Sequence, residues 1–533
     1  MHIYVRSNPY FRAKFDENMA KSAYCLISFL FLAGSLFRDG QLYAQDTTVT
    51  WQTCLQHYKR LDEACSYASL IQIGETDQGQ PLHCFVINSD GVFEPEKWSR
   101  DKVVLLINNN IHPGEPDGVE SSMQLSASLC NTGHSLSTSL KDVIVCIIPM
   151  YNVDGAMVRS GYFRANQNGP KESGFRGNAL NLDLNRDFIK CDSQNALTFC
   201  NWFTRLLPHV MIDTHVSNGA DYAYTMTLIT TQSDKLGYTQ GSFVRNSMEP
   251  ELFRRMEKTK FPMTPYVNTM GRTPESGIEG FLETARFATG YAALFGTLGF
   301  TTETHMLKPF RQRVEATSLF LNTMLQYLSE SKEEILRQYA EGRKEILAQE
   351  EFPLHFELDT TVKNSFQFDG FKALEEPALI GEGQRLRYDR SEPWRKPIPY
   401  FNRYNGKDYV KVPEAYIVPG AWRRVIERLD ANHVQYKVIT QDTVMHVKVS
   451  YIDKYETARN PFEGHYYHYK TTCRDTTVSI VCQAGDRWIP TNQIARRFLV
   501  QVLEPRSDEG YFAWNFFDSI LQQKEWFSDY VFE

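Results

Sequence analysis

The stretch "DKVVLLINNNIHPGEPDGVE", residues 101–120, carries two readings at once. Its first half is a short aliphatic run that stops abruptly at three asparagines, the pattern of a buried strand. Its second half sets His112 and Glu115 three residues apart on a Pro-Gly turn, and Asp117 with Glu120 resembles a capping box at the start of a helix. H-x-x-E alone is weak evidence: with thirteen histidines in the chain, about one chance match is expected. Its position carries more weight, because open α/β sheets gather ligands at the carboxyl ends of their strands.

Outward from this stretch, strand-like and helix-like segments alternate: "KVVLLIN" (102–108), "GVESSMQLSASL" (118–129), "KDVIVCIIPMYN" (141–152), "SQNALTFCNWFTRLL" (193–207) and "HVMIDTH" (209–215). The alternation predicts an α/β domain with a mixed, largely parallel sheet and helices on both faces. Ahead of it, residues 51–70 have helical spacing and 71–87 read as strand, turn, strand. Residues 310–350 contain no proline and many good helix formers, which predicts one or two closing helices. After about residue 352 the texture changes to polar–apolar alternation, with a helix expected within "PGAWRRVIERLDANH" (419–433). The expected organisation is a leader over 1–45, a catalytic domain over 46–352 and a β-rich α+β domain over 353–533.

Composition narrows the function. Hydrophobic residues at 42% and charged residues at 23% suit a soluble globular chain. Net charge is −7 and no long Lys/Arg block occurs, which disfavours nucleic acid as a partner. From Met19, a Lys is followed by an uncharged, mostly apolar run to Phe37 and then by small and polar residues, with Ala44 as the candidate processing site. This is the grammar of a signal peptide and predicts export, periplasmic or secreted, with no integral membrane segment left after processing. The ten cysteines form no C-x-x-C pair, which disfavours a cysteine zinc site; a pairing such as Cys473 with Cys482 is conceivable in a hairpin.

A second strand-like segment, "PHVMIDTH", ends in His215, about a hundred residues after His112. Two histidines and a carboxylate at strand ends make the ligand set of a catalytic zinc, with one position left open for water. Between them, "YNVDGAMVRSGYFRANQNGPKESGFRGNALNLDLNRDF" concentrates Arg, Asn and Gly without amphipathic periodicity. Here the chain resembles the zinc carboxypeptidases, the peptidases similar to pancreatic carboxypeptidase A. The resemblance rests on H-P-G-E, N-x-D-G at Asn152 to Gly155, Phe163-Arg164, D-L-N-R at 183–186 and His215, in that order. It covers about residues 55 to 330.

The resemblance implies one Zn2+ per chain on His112, Glu115 and His215, with Asp183 orienting a ligand imidazole. It implies that Arg164 donates to the scissile carbonyl and that Asn185 and Arg186 hold the free carboxylate of a peptide substrate. Glu303, in "LGFTTETHMLKPF" (298–310), matches the family's catalytic glutamate in order and strand context, as a general base. Pairing of Glu303 with Lys308 or Arg311 is the plain alternative. His305, two residues on, faces the same side of the strand without an assigned role. The family's mobile-loop tyrosine has only Tyr291 as an uncertain counterpart, and H-x-x-H at His465 and His468 reads as an exposed polar segment. The expected activity is removal of the C-terminal residue of peptides. The alternatives are a zinc deacylase or amidase of the same wider fold, acting on N-acyl amino acids or cell-wall peptides, and a binding protein that has lost its chemistry. Oligomeric state is unreadable.

Overall fold

The aliphatic run of residues 103–108 is the third strand of an eight-stranded sheet and is buried along its whole length. A computed structural model describes residues 46–532; the expected leader, with Met19, Cys25 and Ala44, lies outside these described residues. In chain order the sheet strands are β1 (Ala68–Glu75), β2 (Pro81–Ile87), β3 (Val103–Asn108), β4 (Val143–Ile148), β5 (Val210–Ser217), β6 (Met226–Thr230), β7 (Met263–Pro265) and β8 (Leu298–His305). Their spatial order is β1-β2-β4-β3-β5-β8-β6-β7. The contacts β4–β3, β3–β5, β5–β8 and β6–β7 are parallel, while β1–β2, β2–β4 and β8–β6 are antiparallel. This is the mixed α/β sheet that the alternation predicted. Every residue of β3, β4 and β5 is buried, which explains why β3 and β4 read as continuous apolar runs.

The helices are α1 (Trp51–Ala64), α2 (Asp117–Leu129), α3 (Gln194–Leu206), α4 (Phe310–Glu330) and α5 (Lys332–Ala348), the last two filling the proline-free region. The expected capping box of α2 does not form. Pro116 is its N-cap, and no side chain caps it. Asp117 instead pairs with the buried Arg313 at 2.9 Å, and Glu120 accepts from the Thr48 hydroxyl at 2.7 Å and the Val49 amide at 2.9 Å. Both carboxylates are buried, and long-range donors outcompete a local cap there.

From Glu351 onward the chain is β-rich. β9 (Glu351–Leu358) pairs with β12 (Tyr404–Lys411), and β10 (Asn364–Pro377) with β11 (Gln384–Phe401). β13 (Ala415–Val418) and β14 (Lys437–Val438) both pair with β17 (Arg487–Pro490), while β15 (Thr443–Thr457) and β16 (His468–Cys482) form a long hairpin. Cys473 and Cys482 share strand β16 rather than facing each other across the hairpin. The hydrophobic core under the main sheet continues without a break into Leu429 of α6 (Arg423–Ala431), Phe498 of α7 (Arg496–Leu503) and Trp514. Among the described residues no helix is long and apolar enough to cross a membrane.

Candidate metal centre and surrounding cleft

The three asparagines that stop β3 each have a separate task. Asn108 sends its amide toward Asp213 at 3.4 Å. Asn109 accepts from Thr214 at 3.0 Å and donates to the Ile148 carbonyl at 3.1 Å, tying the ends of three strands together. Asn110 takes a φ of +66°, a left-handed conformation that asparagine tolerates, and turns the chain toward His112. Gly118 then lets α2 settle on the end of β5: a Cβ there would stand 1.9 Å from the Thr214 hydroxyl.

The turn brings His112 and Glu115 against His215, at the carboxyl side of β5. The two Nδ1 atoms are 3.1 Å apart, and Glu115 Oε2 lies 3.0 Å from His215 Nδ1. Each ring is held from behind: His112 Nε2 donates to Asp183 Oδ1 at 2.8 Å, and His215 Nε2 to Asp213 Oδ2 at 2.8 Å. A carboxylate behind each Nε2 fixes the proton there and leaves both Nδ1 lone pairs facing the Glu115 carboxylate. Three acceptors this close call for positive charge among them, whether a proton on His215 or a metal ion. These three buried residues, whose ligand atoms lie within 4.8 Å of one another, are the cluster among the described residues able to hold a metal ion. The donor set, two imidazoles and one carboxylate, suits zinc.

The charges around the centre favour a cation as well. Burial pushes the Glu115 carboxyl up, but Arg164 and His112 outweigh it and hold it well below the usual carboxylate range. Burial likewise pushes Asp183 up, and His112 and Arg176 bring it far down. His215 is disfavoured as a cation by burial, yet Asp213 and Glu115 raise it well above an ordinary imidazole.

Glu303 sits beside His215, paired with it in the parallel β5–β8 register. Burial pushes its carboxyl up to about 8, and Oε2 has no hydrogen-bond partner. Neither alternative cation reaches it: Lys308 pairs with Asp221 at 3.6 Å and Arg311 with Glu315 at 3.1 Å. His305 points its Nε2 at the Gly219 carbonyl and packs on Tyr222, and burial lowers it to about 4.

The arginines divide by their partners. Arg164 spends its guanidinium on Glu115 at 2.7 Å, the Val216 carbonyl at 2.6 Å and Gln167 at 2.9 Å. Arg176, which the sequence reading passed over, bonds Asp183 at 2.8 Å and reaches Glu115 at 3.4 Å with its side chain still 46% exposed. The Glu303 charge also acts on it. Arg186 lies over the Phe287 ring at 4.4 Å, donates to the Asn185 carbonyl at 2.8 Å, and has no carboxylate within ion-pair distance among the described residues. Asn185 accepts from the Ala288 amide at 3.2 Å.

Two further residues escaped the sequence reading. Asp213 could have been found from D-x-H on one strand, since residues two apart share a face. Tyr266, just after β7, reaches Ser217, and burial with the Glu303 and Glu115 charges raises its phenol; nothing local in the sequence marks it. Tyr291 is packed among core aromatics with its hydroxyl on Asn432 at 2.7 Å, away from the centre. His465 and His468 have separate partners, Asp192 at 2.5 Å and Asp518 at 3.1 Å, and both are mostly buried.

The chain is similar to known carboxypeptidases. Residues 55–201 match the family model described as zinc carboxypeptidase, a span that holds His112, Glu115 and the D-L-N-R segment. Carboxypeptidase 2 of Trichophyton tonsurans is 22% identical over 449 residues, 78% of this chain and 74% of that protein. Carboxypeptidase 2 of Trichophyton rubrum is 21% identical over 488 residues, 85% and 81% of the two chains. A solved metallo-carboxypeptidase from Pseudomonas aeruginosa aligns with a TM-score of 0.40 at 15% identity, covering 54% of this chain and 70% of its own.

Proposed function

We propose that this chain, which matches the zinc carboxypeptidase family model over residues 55–201, removes the C-terminal residue of peptides, using His112, Glu115 and His215 as metal ligands and Glu303 as general base. The observation that carries this reading is the convergence of three buried acceptors near a carboxylate whose Oε2 has no hydrogen-bond partner. Zinc held there would supply Lewis acidity to a water molecule and to the scissile carbonyl.

The side chains around it divide the remaining work. Glu303 takes a proton from the attacking water and returns it to the leaving amine, a role that requires an oxygen free of other bonds. Arg176 keeps part of its guanidinium open to the cleft, next to Glu115, and stabilises the carbonyl oxygen as negative charge develops. Arg164, the sequence-based candidate for that role, is fully engaged by Glu115, Gln167 and Val216, which suits positioning of the ligand carboxylate instead. Arg186, with no carboxylate of its own, pairs with the terminal carboxylate of the substrate, and Asn185 sits beside it.

Anchoring at Arg186 is what makes the reaction exopeptidic, since only a terminal residue offers that carboxylate. Arg186→Ala is expected to raise KM for a free-acid peptide at least tenfold and to leave the already slow rate on its C-terminal amide nearly unchanged. Equal loss on acid and amide, measured by chromatography of both digests, would remove Arg186 from this role. The leader-like segment supports export; N-terminal sequencing of the protein secreted by its own host should find the mature start close to Ala44, and an intact Met19 region would count against export.

A further inference from the structure

The β15–β16 hairpin carries its tip into the cleft. Phe462 and His465 exchange backbone hydrogen bonds at 2.8 and 3.0 Å, and the two residues between them, Glu463 and Gly464, have φ of +49° and +81°. Positive φ at both central positions is the pattern of a tight primed hairpin turn. Glycine, asparagine or aspartate are the usual occupants there, so a glutamate in this conformation costs backbone energy and points to a use for its side chain.

The surrounding packing holds the tip firmly. Arg286 is flanked by Phe462 and Trp514, with centroid distances of 5.6 and 4.9 Å, and donates to Glu509 at 2.8 Å. On the other side His465 is tied to Asp192. Glu463 is half-buried, and its Oε2 accepts from the backbone amide of Asp183 at 2.8 Å, three residues before Arg186. Among the described residues no cation lies within ion-pair distance of Glu463. Arg186 is equally uncommitted to any carboxylate, yet the two side chains are near enough for the charge of Glu463 to act on Arg186. The 183–186 segment therefore has a carboxylate bonded at one end and a guanidinium at the other, each without an ion-pair partner among the described residues. A C-terminal residue with a basic side chain carries the complement of both groups, a carboxylate and a cation.

We propose that Glu463, brought in by the C-terminal region, is the specificity determinant of the terminal-residue pocket and selects peptides ending in lysine or arginine. This rests on the reading of Arg186 as the carboxylate anchor: the substrate's terminal carboxylate meets Arg186 and its basic side chain meets Glu463. It also gives the C-terminal β-rich region a part in catalysis, since that region supplies a wall of the site.

The test uses the zinc-loaded full chain and three matched N-blocked dipeptides ending in Arg, Phe and Glu. Wild type is expected to show a kcat/KM at least tenfold higher for Arg than for Phe, with Glu slowest. Glu463→Gln keeps an oxygen that accepts from the Asp183 amide and removes only the charge; it should lower the Arg-to-Phe ratio at least tenfold. Glu463→Lys should move the preference toward Glu. A wild-type ratio near one overturns the proposal without any variant. So does a Glu463→Gln enzyme that slows all three substrates in proportion, since that would leave Glu463 a mere support for Asp183. Failure of wild type to cleave any of the three, with zinc restored, would instead overturn the carboxypeptidase reading beneath it.

Discussion

Glu303→Gln is expected to lower kcat by about a thousandfold or more while zinc stays bound at one ion per chain. Removing a general base typically costs about 10²–10⁴-fold, and here the same carboxylate both accepts and returns the proton, which places the effect in the upper part of that range. Metal binding should survive because Glu303 is not among the three residues proposed as ligands. Steady-state kinetics beside metal analysis checks both halves. A variant with wild-type turnover would refute the base role, and one that has lost its metal would make Glu303 a ligand. The metal-free protein offers an independent check. Burial raises the Glu303 carboxyl from 4.5 to about 8, so between those values the folded state holds a proton that the unfolded chain releases. Stability of the chelated protein should therefore fall as pH rises through that window, and Glu303→Gln should flatten this fall. Equal melting profiles for the two proteins across that range would show that the carboxyl is not buried as described.

The candidate ligand residues were legible in the sequence because local rules place them. His112 and Glu115 follow a run too apolar to be anything but a buried strand, and His215 and Glu303 lie late in two further strands that pair in parallel, so strand order brings them to one edge of the sheet. Second supports were less legible. Asp183 was assigned through family resemblance, whereas Asp213 stayed hidden inside a strand whose apolar pattern drew attention away from it. The capping box failed for a related reason: Asp117 and Glu120 have a helix-start spacing, but burial gave them partners 196 and 72 residues away. The contribution of Glu463 could not be read at all. It depends on packing between Phe462, Trp514 and Arg286, positions far apart in the chain and bound to no period. Arg164 and Arg186 were assigned through the same resemblance, which passed over Arg176, and only the network of partners distinguishes Arg164 from Arg176.

That separation is the second large prediction. Arg176→Ala is expected to lower kcat by about 10²–10³-fold with metal affinity little changed, the usual loss when one donor to a developing oxyanion is removed. Arg164→Ala should behave differently. Its guanidinium holds Glu115 from one side and the Val216 carbonyl from the other, with a side chain only 14% exposed. Removing it frees the ligand carboxylate to swing and leaves the Val216 carbonyl without this donor, so the metal should bind about 10–100-fold more weakly, as when an outer partner of a ligand is lost. Excess zinc should then recover much of the activity of Arg164→Ala and none of the activity lost in Arg176→Ala. Titration of both chelated variants with zinc, followed by turnover at saturation, reads the two effects apart. If Arg164→Ala retains full metal affinity but loses turnover at saturating zinc, the carbonyl-facing role belongs to Arg164 after all, and its contacts with Glu115 and Val216 must open when substrate enters.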